Sequence, residues 1–372
     1  MIKNKGPNSN KRRKKKQPNI PSTGKKLLFP LIIAVFTITQ VLLFAINFNR
    51  WFFRDTQEFP GVTGNSQLLT GHIFFTGDTF GKYGLVGCDR LGSISRRAKV
   101  LKKFDDYLYM DFGNFTVDND VTNKAVVPIL LKAYGYMDLK VMNLIKRDLL
   151  NLATANFHIK EILELPLVSA NLHLEAPRQP PDSKENIRES EQVIAAHRLI
   201  PLQLKNREDT KLIIVGITGI SNNERKLHKN KINFKIKDTR QSLARVMPFL
   251  EKADLKILLF NETFFELKKL LADGSIRFDL VIAYPTLPEH INGYTYIKNT
   301  PVVFPDEYGR SLGHARVCKI NGDYSFEFDW YKLGMGIPRD QQMKTLTSMI
   351  LQRIDNSKHR KNNREQDFPG NR

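Results

Sequence analysis

A layered α/β domain behind a single N-terminal transmembrane helix is the architecture this sequence predicts, on three observations. One uncharged apolar run of 22 residues stands near the N-terminus, short β-branched or aromatic runs alternate with longer amphipathic ones over most of the remainder, and positive charge gathers at the two ends. With 41% apolar and 10% aromatic residues, the 372-residue chain is neither disordered nor collagen-like and can form a sizeable core. Its 58 Lys and Arg exceed its 38 Asp and Glu, giving a net charge of +20. Residues 1–26 hold ten of those cations and no acid, and 339–372 hold eight against four acids, which leaves only +6 for 27–338. The charge therefore marks tails rather than a nucleic-acid-binding domain.

The basic tail, 1–26, contains KRRKKK at 11–16 and leads into LLFPLIIAVFTITQVLLFAINF at 27–48. As a helix that run is roughly 33 Å long, enough to cross a hydrocarbon core of about 30 Å. A cleaved secretory signal is the rival reading, but the run exceeds the ~7–15 residues of a signal core. No small-x-small site precedes Arg50 either. Ten cations stand before the run, whereas Arg50 and Arg54 alone lie just beyond it with the interfacial Trp51, Phe52 and Phe53. The positive-inside rule then predicts a single-pass protein with a cytoplasmic N-terminus and an extracytoplasmic main domain, on the periplasmic side of the inner membrane if the cell is bacterial. The lysine-rich run reads as a topology determinant that also attracts anionic lipid.

A linker, 49–70, precedes the main domain, 71–335, and a C-terminal helix and basic tail fill 336–372. Strands are predicted at His72–Thr76, Tyr107–Asp111, Leu139–Met142, Leu167–Ala170, Lys211–Ile217, Leu255–Phe260, Leu280–Ala283 and Pro301–Phe304. Helices are predicted at Ser93–Phe104, Thr122–Tyr134, Thr239–Lys252, Phe264–Ala272 and Asp340–Ile354, from apolar residues three and four apart. This alternation implies a largely parallel sheet, whose sites form at the carboxyl ends of the strands. The proline-rich, mixed-charge stretch 175–192 reads as an exposed insertion loop. GITGIS (216–221) lacks the Lys-Ser/Thr of a P-loop and reads as a tight turn at a strand end. Asp105-Asp106 and Asp118/Asp120 flank helix ends and suit turns and caps. Cys88 and Cys318 are too few for a disulfide framework, though one bridge stays open.

HIFFTGDTFGKYG (72–84), CDRLGSISRRAKVLKK (88–103), YLYMDFGNF (107–115), KAVVPILLKAYGYMDLKVMN (124–143), LPLVSANL (165–172) and LIIVGITGIS (212–221) follow one another in order. After them come DLKILLFNE (254–262), FDLVIAYPT (278–286) and VVFPDEYGRSLGHARV (302–317). As a series these blocks resemble the calcineurin-like metallophosphoesterases, particularly the branch related to periplasmic 5'-nucleotidases, and Arg96-Arg97 beside Cys88 is similar to an arginine pair of that branch. The resemblance implies a metallophosphoesterase-like α/β/β/α sandwich. It also implies a pair of divalent metals that activate water and clamp phosphate, held by D-x-H, G-D, G-N-H-[DE], a lone His and G-H-x-H.

Measured against those motifs, the sequence keeps Asp78 but has Phe80 for the first histidine and Asn114 for the bridging aspartate. A neutral amide cannot readily bridge two dications, which need anionic compensation between them. In the third motif either Asn143 matches the asparagine, with Leu144 for its histidine, or Lys146-Arg147-Asp148 matches N-H-[DE]. Asn261 stands for the lone histidine, and Ala283-Tyr284-Pro285-Thr286 replaces G-H-x-H. The resemblance thus implies vestigial ligand positions at Asp78, Phe80, Asn114, Asn143, Asn261 and Tyr284, with Asp78 the only retained acid and no assignable catalytic residue. Lys146 and Arg147 are candidates for anion binding. The eight histidines form no local metal-binding pair; His290 is the nearest to a lost motif, and His72 and His173 lie close to predicted strands.

Three functions follow as expectations. The first is a membrane-anchored, catalytically inactive metallophosphoesterase-like protein whose domain binds an anionic ligand or a protein partner. The second is a divergent metal-dependent phosphoesterase related to 5'-nucleotidases, and only this alternative calls for a divalent metal cofactor. The third is a structural component of a cell-envelope complex. Lipid is the expected partner of the helix, and nucleic acid is not expected.

Overall fold

Successive strand residues face opposite sides, and in the strand Leu69–Thr76 (β1) both sides are apolar: Ile73 and Phe75 enter one core while Phe74 enters another. Leu255–Phe260 (β9) and Leu280–Ala283 (β10) repeat the pattern, with Ile257, Leu259, Leu280 and Ile282 turned into the core of Ile73 and Leu258, Phe260, Val281 and Ala283 turned into a third. Strands buried on both faces must be covered on both, which requires layers.

The computed structural model describes residues 68–80, 82, 93–117, 120–154, 164–174, 194–222, 234–284, 293–320, 323–349, 352 and 356. The basic tail, the apolar run 27–48, the loop 175–192, Cys88, Asp118 and His290 lie outside them. Among the described residues, no helix is long and apolar enough to cross a membrane.

In chain order, β1 is followed by α1 (Ile94–Leu101), β2 (Leu108–Asp111), α2 (Asp120–Tyr136), β3 (Leu139–Asn143), α3 (Lys146–Thr154), β4 (Leu167–Val168) and β5 (Leu172–Leu174). Next come β6 (His197–Lys205), β7 (Thr210–Ile220), β8 (Phe234–Ile236), α4 (Thr239–Leu250), β9, α5 (Phe264–Ala272) and β10. The chain continues through β11 (Tyr294–Ile297), β12 (Thr300–Val303), β13 (Ser311–Ile320) and β14 (Asp323–Lys332), with helix at 341–349.

The main strand order is β11-β12-β10-β9-β7-β6-β1-β2-β3-β4, with β13 and β14 branching from β1. The β1–β6 joint rests on one pair, Thr70 with Lys205, and there the sheet folds over on itself. The core of Ile73, Phe75, Met110 and Val141 with Val215, Ile217, Ile257 and Ile282 lies between the two halves. Helices α1 to α3 and Met343 cover the outer face of the β1 half, and α4 and α5 cover that of the β7 half. The result is four layers, α/β/β/α. Parallel pairing sets β1, β2, β3 and β4 side by side, ending near Thr76, Asp111, Asn143 and Val168, and sets β7, β9, β10 and β12 side by side, ending near Ile220, Phe260, Ala283 and Val303.

The sequence reading omits β5, β6, β8, β11, β13, β14 and α3, and it overextends Leu167–Ala170, where only Leu167–Val168 pairs as strand. GITGIS is not a turn, since β7 runs on through Ile220. Its glycines mark close approach: a Cβ on Gly216 would stand 2.8 Å from Ala253 Cβ, and one on Gly219 would fall onto Asn143 Oδ1. Gly219→Ala is therefore expected to cost about 1–3 kcal/mol, because Asn143 is fully buried and cannot give way. Gly135→Ala, in helix α2 with open space around it, is expected to stabilise by about 0.5–1 kcal/mol. Urea denaturation of both variants checks the pair.

Candidate functional site

Two loops leave the ends of β1 and β2 and are laced together. The Asp78 N–H donates to Gly113 O (2.9 Å), the Phe80 N–H to Asn114 O (2.8 Å), and Asn114 Nδ2 to Asp78 Oδ1 (2.6 Å). Asp78, Phe80 and Asn114 all have left-handed φ, at 47°, 45° and 59°. Asp and Asn adopt that conformation readily, and a bulky aromatic does not, so Phe80 stores strain that its neighbours must hold. They do so from two sides: the Arg147 guanidinium lies 4.7 Å over its ring, and the Tyr308 ring centroid lies 5.7 Å away.

Beneath these loops lie two more buried carboxylates that the motif comparison leaves out of the site. Asp148 accepts from the Asn114 N–H (2.7 Å), the Thr116 N–H (3.1 Å) and Thr116 Oγ1 (2.7 Å), so it fastens the β2 loop to the start of α3. Asp111 accepts from the Gly113 N–H (2.8 Å) and Tyr134 Oη (2.9 Å), while the buried Arg97 donates to Tyr109 Oη (3.3 Å). Burial pushes the Asp78 carboxyl up to about 7, helped by the charges of Asp111, Glu307 and Asp148 and opposed by the Asn114 hydrogen bond. Burial likewise raises Asp111 to about 7 and Asp148 to about 6, each against its own hydrogen-bond donors.

Amides and a hydroxyl join the two halves of the sheet: Asn143 and Asn171 from the β1 half, Ser221 and Asn261 from the β7 half. Asn143, at the end of β3, donates from Nδ2 to Ile220 O (3.1 Å), the oxygen that also accepts the Asn261 N–H (3.1 Å). Asn171 grips the Ser221 backbone through both ends of its side chain, Nδ2 to Ser221 O (2.8 Å) and Ser221 N–H to Oδ1 (2.9 Å). Ser221 Oγ in turn accepts the Lys146 N–H (2.8 Å) and so seats α3. Asn143, Asn171, Ser221 and Asn261 are all buried, and the Tyr284 ring lies half-buried with its centroid 6.4 Å from that of Phe112. Among the described residues, the buried atoms Thr76 Oγ1, Asp78 Oδ2, Asn143 Oδ1 and Asn261 Nδ2 have no hydrogen-bond partner.

The structure thus sets Asp78, Phe80, Asn114, Asn143, Asn261 and Tyr284 at neighbouring strand ends. It separates the two basic candidates: Arg147 covers Phe80, whereas Lys146 Nζ lies 5.9 Å over the Phe234 ring of β8. His72 lies within β1, and it meets His314 of β13, Nδ1 to Nε2 at 3.0 Å, on the face that carries Phe74 and Phe104. The histidines are therefore not all scattered, although this pair was invisible in local spacing. Cys318 is a buried thiol.

This donor set does not fit a pair of metals. Among the described residues no three His, Cys, Asp or Glu side chains are grouped to hold an ion. The position of the bridging anion presents an N–H to Asp78, a donor that competes with a cation for the same oxygen.

Solved structures share the fold. A 5'-nucleotidase precursor from Thermus thermophilus is similar at a TM-score of 0.57 and 16% identity over 76% of this chain and 58% of that chain. The calcineurin-like phosphoesterase YfkN from Bacillus subtilis is similar at 0.57 and 16% over 78% of this chain and 98% of that one. A 5'-nucleotidase from Candida albicans reaches 0.53 and 12%, covering 77% and 57%. This chain therefore spans a little over half the length of the two nucleotidases. At such identities the likeness establishes the fold alone. No protein-family model matches the chain, and no curated protein sequence is significantly similar to it.

Proposed function

We propose that this calcineurin-like phosphoesterase fold works as a membrane-anchored binding domain without hydrolytic activity. The observation that carries the reading is the composition of the strand ends: four amides and a hydroxyl stand around Asp78, which is engaged by the amide that stands for a bridging anion, while the buried Asp111 and Asp148 are taken up by donors from Gly113, Tyr134, Asn114 and Thr116. Two dications placed there would repel each other with little negative charge between them. Arg147, lying over Phe80, supplies a fixed cation, so the occupant of this face is an anionic ligand or an acidic patch on an envelope protein. The apolar run 27–48 anchors the domain, and the cations before it keep the N-terminus in the cytoplasm.

One observation favours a divergent metal-dependent phosphoesterase instead. Asp78 Oδ2 and Asn143 Oδ1 are hard oxygen donors without partners, and such atoms suit a single divalent ion. Metal analysis of the detergent-purified full chain after incubation with Mn²⁺ or Zn²⁺, run beside p-nitrophenyl phosphate hydrolysis, separates the two. The binding reading expects substoichiometric metal, no turnover above the blank, and a phosphate-induced rise in Tm that Arg147→Ala removes. Stoichiometric metal together with turnover lost in Asp78→Ala would establish the hydrolase.

A further inference from the structure

On the far side of the Ala170 turn from the strand-end site, a recess of about 460 Å³ opens between the start of β6 and helix α4, a size ordinary for small-molecule sites. We propose that it binds a planar aromatic ligand carrying an anionic group. Neither the hydrolytic nor the binding reading of the strand ends is needed for this.

The floor is made of Ala170, Ala195 and Ala196, whose methyl groups leave room for a flat ring. The wall is aromatic. Phe249, 51% exposed, stacks on the His197 imidazole at 5.0 Å and 19°, and both rings line the recess. Ser242, Arg245 and Phe249 follow one another at helical spacing on α4, so they share one face. Ser242 is 2% exposed, and its Oγ has no hydrogen-bond partner, an unmet capacity that a ligand oxygen would satisfy.

Charge chooses the ligand's polar group. Among the described residues no acid lines the recess, and the exposed Arg245 is part of its lining. Arg240 of the same helix is held by Asp273, whereas among the described residues no carboxylate pairs with Arg245. An apolar floor, an aromatic wall and one unspent guanidinium favour a ring bearing a carboxylate, sulfonate or phosphate over a neutral ring or a bare anion.

Calorimetric titration of the full chain with naphthalene-2-sulfonate, 2-naphthol and methanesulfonate tests this. Naphthalene-2-sulfonate is expected to saturate one site per chain, bind more tightly than either fragment, and lose at least about tenfold in affinity in Arg245→Glu. The affinity of 2-naphthol should change less than twofold in that variant. Arg245 is exposed, so the fold should tolerate the change; Arg245→Gln, which removes the charge alone, is the second variant. No saturable binding, equal affinity in both arginine variants and the wild type, or methanesulfonate binding as tightly as the naphthalene compound would each overturn the proposal.

Discussion

Asp78→Asn is expected to stabilise the protein by about 2–4 kcal/mol at pH 8 and to leave stability within about 1 kcal/mol of wild type at pH 4. The Asp78 carboxyl is fully buried, has one oxygen unpaired, and is pushed by that burial up to about 7 from an ordinary value of 3.8. An acid whose folded pKa lies above its unfolded one holds more protons in the folded chain between the two values. Stability therefore falls as pH rises from about 4 to about 7, and the full penalty persists above that. Asn carries no such penalty, accepts the left-handed φ of 47° as readily as Asp, and keeps an oxygen for Asn114 Nδ2. Asp111 and Asp148 titrate with the same sign, whereas the half-buried His72 and the buried His314, lowered to about 4 and about 3, act with the opposite sign below 6.5. The variant-minus-wild-type difference, from urea melts at the two pH values, isolates Asp78. Were Asp78 a working metal ligand, the same substitution would destabilise the metal-loaded chain at pH 8, and a loss there would sink the binding reading.

The expected gain has its cause in the charge buried at Asp78. A hydrolase tolerates a buried, partly unsatisfied carboxylate because metal neutralises it, and here an amide N–H does so only in part. Phe80 is strained in the same loop, since its backbone takes the left-handed conformation and its ring is steadied by an arginine and a tyrosine.

Much of this was legible in sequence, and what was not has physical causes. β9, β10 and α5 were readable to the residue because continuous apolar runs and helical spacing act over a few residues. β6 was hidden by Pro201, which is tolerated because β6 touches β1 at one residue only and is nearly an edge strand. β14 alternates Tyr324, Phe326, Phe328 and Trp330 with polar residues, a strand signal of period two that belongs to none of the family-like blocks. The resemblance to a family's ordered motifs put Asp78, Asn114, Asn143, Asn261 and Tyr284 at strand ends. The roles of Asp111, Asp148, Asn171 and Ser221 could not be read, because they depend on hydrogen bonds across 23 to 75 residues that no local pattern encodes. The pairing of His72 with His314, 242 residues apart, is the extreme case.

Asp148→Ala is expected to cost about 3–5 kcal/mol, the largest single loss in the domain, and to free the Asn114 loop. Removing the carboxylate strands two buried N–H groups and breaks its bond to Thr116 Oγ1, although Asn151 Nδ2 still donates to that hydroxyl at 2.8 Å. Asp148→Asn should cost less, about 1–3 kcal/mol, because one oxygen survives for Thr116 while the new NH₂ meets the Asn114 N–H donor to donor. A contrasting carboxylate sets the scale: Asp106 pairs with Lys205 on the surface, where both side chains are at least a third exposed, and Asp106→Ala should cost under about 1 kcal/mol. Urea melts give the ranking, and hydrogen exchange localises it, since protection should fall at the Asn114 and Thr116 amides before it falls in β9. If Asp148→Ala proved no costlier than Asp106→Ala, the β2 loop would owe its shape to the lacing with β1 instead of to this buried carboxylate.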